Sequence, residues 1–311
     1  SLGTRARASV GAPCRIFPRL SRVSVPQLLR INDMLADAII RPARSEDSEA
    51  IAALMREGVS EQVRQITILG SQYLARFIAD ELARNQNDDY VVCTVREQVT
   101  GMCAWRQTDT VLHLNHLYLA PNVRGQGLGT ALMLDGLSRI RRASQHTLST
   151  DVFFDTPRAR AWYRSLSMQS EKHVHWIQVP LPLSTSDGEC RCTITGLEEA
   201  DAHHVRYGFS HIALSTHVGN YQVGRLGSGL FRVAMVSILQ DPAALQGLAR
   251  FDAERQLICI GSAGDCAALS PDTNSLVAES ERLVSSCSTV LKHLESSLAG
   301  RHIHQAIPVR L

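Results

Sequence analysis

Apolar and polar positions fall into a regular pattern from about Ala38 onward. Ala38-Ile39-Ile40 runs into Arg41-Pro42-Ala43-Arg44, and Ser45 then caps a turn that carries Glu46 and Asp47, so a strand leads into a helix. Ile51, Leu54 and Met55 recur at helical spacing as far as Gly58, and Leu74, Phe77, Ile78 and Leu82 predict a second helix. Three strands follow at Tyr90 to Val95, Val99 to Trp105 and Thr110 to Leu119, joined by short polar turns. Beyond Pro121, the apolar positions Leu128, Ala131, Leu132, Leu134, Leu137 and Ile140 repeat as one helix face. A strand at Leu148 to Phe154 comes next. Thr156-Pro157 opens a helix that runs through Tyr163 and Leu166, and a strand at His173 to Val179 closes the series. The predicted order over residues 38–180 is β-α-α-β-β-β-α-β-α-β.

Pro180, Pro182 and the run Ser184-Thr185-Ser186-Asp187-Gly188 read as a linker at 181–188, which separates a smaller α+β domain at 189–311. There the pattern predicts strands at Cys190 to Ile194, Phe231 to Ile238, Gln256 to Ile260 and Ile303 to Val309. Helices are predicted at Leu197 to Val205, Asp241 to Phe251 and Asn274 to Leu298. The fold class is α/β (α+β): a mixed twisted sheet flanked by helices, with the smaller domain appended.

Charge narrows the partners. A formal net charge of +2 gives no global field for a nucleic-acid duplex or an anionic membrane, and no apolar run approaches the roughly 20 residues of a membrane helix. The eight cysteines are scattered without a Cys-x-x-Cys pair, which fits a reducing, cytoplasmic setting. Residues 1–37 are rich in arginine, with no acid before Asp33. They read as an arginine-biased extension rather than an organelle-targeting segment. Cys190-x-Cys192, His203-His204 and His302-x-His304 lack the spacing of a zinc module, so no metal is expected.

Arg124-Gly125-Gln126-Gly127-Leu128-Gly129-Thr130 lies where a strand hands over to a helix. Alternate glycines let a ligand approach the backbone, and the N–H groups of a helix start attract an anion. Thr130 stands where a dinucleotide fingerprint needs its third glycine, and the Gly-Lys-Ser/Thr end of a P-loop is missing. A second run, Gln222-Val223-Gly224-Arg225-Leu226-Gly227-Ser228-Gly229, looks alike. Too few residues separate it from Cys190 for the elements that should precede such a loop, so no second phosphate loop is predicted.

The string from Leu117 through Arg124-Gly125-Gln126-Gly127-Leu128-Gly129-Thr130 resembles motif A of the GNAT acetyltransferase superfamily, and Thr156-Pro157-Arg158-Ala159-Arg160-Ala161-Trp162-Tyr163 resembles its second signature. The resemblance covers about residues 39 to 179. It implies a GNAT fold, acetyl-CoA as co-substrate with its pyrophosphate on the glycine loop, and transfer of an acetyl or short acyl group to a primary amine on a small molecule or a protein. It implies backbone contacts to the acyl-CoA from Leu117, Tyr118 and Leu119, a contact from Thr156, and proton donation to the departing thiolate by Tyr163. Strand alternation places His113, Asn115, Leu117 and Leu119 on one face and His116 and Tyr118 on the other. His113 then falls where relatives carry a base, with His116 second. Thr156 replaces the usual Asn, and Ser167-Met168 replaces a common Gly-Phe. The family selects its acceptor through the loop here near Val59 to Gly70, and a homodimer is possible. The alternative function is a non-catalytic acyl-CoA-binding regulator with a C-terminal interaction domain.

Overall fold

A computed structural model describes residues 37–84, 88–181, 191–267 and 275–299. The first half runs β1 (Ala38–Pro42), α1 (Ser48–Glu57), α2 (Glu61–Gln65), α3 (Leu74–Arg84), β2 (Asp88–Val95), β3 (Gln98–Gln107), β4 (Val111–Leu119), α4 (Leu128–Ile140), β5 (Thr147–Phe153), α5 (Pro157–Ser165) and β6 (Gln169–Val179). This is the order that the apolar pattern predicts, with two differences: the short helix α2 stands in the predicted loop between the two helices, and Ser45–Asp47 is a separate 3-10 turn, where the Asp47 carboxylate accepts from the Arg44 backbone N–H and pairs with Arg41.

The second half runs β7 (Thr193–Thr195), α6 (Leu197–Tyr207), β8 (Phe209–Ser215), β9 (Asn220–Leu226), β10 (Leu230–Val233), α7 (Pro242–Phe251), β11 (Gln256–Ser262), α8 (Ala263–Ala267), β12 (Ser275–Ser286) and α9 (Cys287–Ala299). Without the extra helices it repeats the first: a strand, a helix, three antiparallel strands, a helix and a strand parallel to the third of them. In both halves the parallel pair is the one bridged by a helix, β4 with β5 and β10 with β11.

All twelve strands form one sheet in the order β1-β2-β3-β4-β5-β12-β6-β11-β10-β9-β8-β7. The last strands of the two repeats are therefore exchanged. β12 lies antiparallel between β5 and β6, and β6 lies antiparallel between β12 and β11. The sheet continues from one repeat into the other.

Residues 275–286, predicted as the start of a helix, are strand β12; only the part from Cys287 is helical. Leu276, Val277, Leu283 and Val284 satisfy both spacings, and hydrogen bonding to strands on both sides decides the conflict. β8 and β9 were hidden by interspersed polar residues and glycines. Their inward residues Ile212, Leu214, Tyr221 and Val223 do alternate and are buried. The second glycine run lies in the β9–β10 hairpin, where Gly227 adopts φ +50, and not at a helix start. β10 stops at Val233, and Val236–Gln240 forms a 3-10 helix. The strand predicted at Ile303 to Val309, the linker 182–188, residues 1–36, Cys190, His302 and His304 lie outside the described residues.

The core lies in layers. One cluster packs α4, α5 and α9 on one face of the sheet at the first repeat, and another packs α1 and α3 on the other face. Gly136 is the contact point of α4 with the sheet, since a Cβ there would lie 2.2 Å from Nε1 of the fully buried Trp105.

Candidate active site

β4 and β5 pair only from Val111↔Thr147 to Leu114↔Thr150, after which they part. A bulge begins the divergence. On β3, Trp105 faces Leu114 but Ala104 faces His116, which leaves Asn115 as the extra residue. The opening is a cavity of about 510 Å³ walled by Leu117, Tyr118 and Leu119 of β4, Asp151, Val152 and Phe153 of β5, the glycine loop and the start of α5.

The bulge corrects the strict alternation. Leu112 and Leu114 lie in the same apolar cluster that Leu117 and Leu119 pack against, so the strand changes phase at Asn115. His113, whose ring meets Ser149, therefore shares a face with His116 and Tyr118 and not with Leu117. His116 stands on the cavity wall, stacked at 5.8 Å on Tyr118, and burial pushes its imidazole down to about 4. His113 sits just behind the wall. Its Nδ1 is 2.9 Å from Ser149 Oγ and its Nε2 is 3.8 Å from Asp151 Oδ2. Burial lowers its pKa, and Asp151 opposes that shift. Both rings are neutral at neutral pH and able to accept a proton.

At the other end of the cavity, Gly125 (φ +79) and Gly127 (φ +95) take left-handed conformations just before Leu128 opens α4. A Cβ at Gly129 would lie 3.4 Å from Leu119 Cδ1. Leu128 is buried in the core, Thr130 is buried in the first turn, and the Gln126 amide donates to Asn122 O, so Gln126 and Leu128 present backbone and not side chain. Arg124 donates from Nε to Leu119 O at 2.9 Å, tying the loop to the end of β4. Arg158, which the motif does not single out, brings a second guanidinium to 3.9 Å from the Cβ position of Gly125. Thr156 donates to Phe153 O at 2.6 Å and lines the cavity at the start of α5. A bare-backbone cradle at a helix start with two arginines fits a pyrophosphate.

Tyr163 reaches the fork from α5. It is buried, its phenol interacts with Thr150, and burial raises its pKa so that it stays protonated. Thr150 in turn donates to Leu114 O at the last β4–β5 pair. The second repeat fixes the helix that carries Tyr163. Glu281 of β12, fully buried, accepts from Arg160 Nε at 2.7 Å and from Arg164 Nη2 at 2.9 Å. Just past α5, Ser167 adopts φ +61, a left-handed conformation that favours glycine. Ser167→Gly is expected to raise stability by about 1 kcal/mol, read as a higher melting temperature.

The equivalent fork in the second repeat is closed. A Cβ on Gly261 would lie 1.8 Å from Val236 Cγ2, so valine fills the gap next to β11. At the start of α7, the buried Asp241 carboxylate accepts from the Ala244 N–H at 3.1 Å and from the Thr216 and Tyr221 hydroxyls, which puts a protein anion at that helix start.

Residues 59–168 match the acetyltransferase (GNAT) family. A comparison with curated proteins finds no match. Among solved structures, a tandem GNAT protein from the clavulanic acid biosynthesis pathway aligns over 80% of this chain and 98% of its own, with a TM-score of 0.54 and 13% identity. An acetyltransferase-like protein from Pyrococcus horikoshii aligns over 80% and 89%, with a TM-score of 0.57 and 12% identity. A GCN5-related N-acetyltransferase from Sphaerobacter thermophilus aligns over 81% and 96%, with a TM-score of 0.54 and 13% identity. At such identities the structures speak for the fold alone, and they do so over both repeats. Residues 59–168 thus match the GNAT acetyltransferase family, within a chain whose two repeats share a GNAT-like fold.

Proposed function

We propose that the chain is an N-acyltransferase that moves an acetyl or short acyl group from CoA to a primary amine by direct attack in a ternary complex. The observation that carries this is the convergence on one cavity of an anion cradle, a forked pair of strands and a protonated phenol. The N–H groups of the loop from Gly125 to Gly129, with Arg124 and Arg158, hold the pyrophosphate. The edge of β4 from Leu117 to Leu119, which β5 no longer covers, faces the pantetheine and the carbonyl oxygen that gains charge during attack. Tyr163 then protonates the leaving sulfur. The closed fork of the second repeat implies one CoA per chain.

Thiol release from acetyl-CoA across a panel of alkylamines, arylalkylamines and amino-acid amines tests the proposal, with CoA binding followed by calorimetry. Amine-dependent release is expected, with one CoA bound per chain. Tight CoA binding without such release overturns the catalytic reading and leaves a sensor of acyl-CoA.

A further inference from the structure

Asp151 is the first residue of β5 beyond its last pair with β4, so it stands at the apex of the fork. Its side chain is 46% exposed and borders the cavity. Two contacts fix its direction. His113 Nε2 lies 3.8 Å from Oδ2, and Arg282 of β12 clamps the carboxylate with Nε at 2.8 Å from Oδ1 and Nη2 at 2.7 Å from Oδ2. Arg282 belongs to the strand that the second repeat inserts beside β5, and α2, in the segment between α1 and α3, packs over the same strand. Each carboxylate oxygen bonded to Arg282 keeps capacity for a further donor.

Resting on the acyl-transfer reading above, we infer that Asp151 anchors the ammonium group of a cationic primary amine at the fork and hands it to His113, and that the second repeat holds this anchor in place through Arg282. The pair supplies what the reaction needs on the acceptor side. A protonated amine is attracted to Asp151, and neutral His113, beside the same carboxylate, takes one ammonium proton and becomes imidazolium. The free amine forms the C–N bond to the thioester carbon and the C–S bond breaks. Tyr163 gives its proton to the sulfur and regains one from the new amide nitrogen. The ammonium has then lost two protons, one to His113 and on to solvent, the other to the thiol. His116 lines the wall, but among the described residues the carboxylate contact belongs to His113, which makes His113 the better-placed acceptor.

The charged groups around His113 are Asp151 of β5, Arg282 of β12, Arg106 of β3, Asp88 of β2 and the neighbouring His116. Arg106 and Asp88 are paired with each other, so Asp151 is the carboxylate in a position to answer a proton on His113. Removing its charge lowers the His113 pKa further, and the acid limb of kcat/KM moves to lower pH.

The test compares an alkylamine, cationic in the assay, with aniline, which is neutral there. Asp151→Asn is expected to lower the ratio of kcat/KM for the alkylamine over aniline about tenfold or more, chiefly through KM, and Asp151→Glu to restore part of it. An unchanged ratio and an unmoved acid limb overturn the inference while acyl transfer stands. Absence of turnover with every amine in the parent chain overturns acyl transfer itself, and this inference with it. Should Asp151→Asn fail to fold, Arg282→Gln is read the same way: an unclamped carboxylate also lowers the ratio, and an unchanged ratio counts against the anchor.

Discussion

Tyr163→Phe is expected to lower kcat by about a hundredfold or more while leaving the affinity for CoA nearly intact. The size follows from the proton donation proposed for the phenol. A thiolate leaving without a proton must carry full negative charge into a cavity walled by Leu117, Val152 and Ala159. Burial keeps the phenol protonated, and its partner Thr150 is anchored to the Leu114 carbonyl, so the donor is held at the fork. The ring packs in the main apolar cluster, and phenylalanine keeps that packing. Loss of rate therefore reports the hydroxyl and not the fold. Steady-state thiol release with calorimetric CoA titration checks it; unchanged kcat removes Tyr163 from the chemistry.

Glu281→Gln is the second large effect, this time on stability. Burial works against the Glu281 charge, yet the hydrogen bonds of Arg160, Ser170 and Arg164 outweigh it and hold the carboxyl below the usual carboxylate range. Neutralising it leaves Arg160 and Arg164 side by side with no counter-charge. Breaking such a pair is expected to cost about 3 kcal/mol, tempered because Arg164 is 48% exposed and rehydrates. A folded-state pKa below the unfolded one contributes stability above the ordinary glutamate value of about 4.3, and loses it as pH falls through the folded value. The parent should thus lose its advantage over Glu281→Gln in acid. Urea melts at neutral pH and at progressively lower pH measure this. A constant gap between the two proteins would assign the cost to packing instead of charge.

The first repeat was legible because its local signals agree with its tertiary role. The helical face from Leu128 to Ile140 and the Thr156-Pro157 start each point to the element that forms, and the glycine loop announces its anion. The bulge at Asn115 left no trace in the sequence, since the extra residue is polar between residues that already alternate, and only pairing with β3 shows that His113 and His116 share a face. Asp151 and Arg158 are ordinary polar residues in the chain; geometry alone brings them to the cavity. The second repeat was obscure for a related reason. Its helix at Pro242 is capped by Asp241 with no glycine loop before it, and β12 buries Ser280 and Glu281 while leaving Leu276 half exposed, so apolarity does not mark its inward face.

The exchange of β6 and β12 also sets a timetable. Phe153 pairs with Ser280, so the strand beside the fork must wait until nearly the whole second repeat has been synthesised. Pairings between such distant segments are slow to close. Until then β5 presents an open edge, and Asp151 lacks its arginine. A nascent chain can build the glycine loop early, but the β12 side of the fork is laid last.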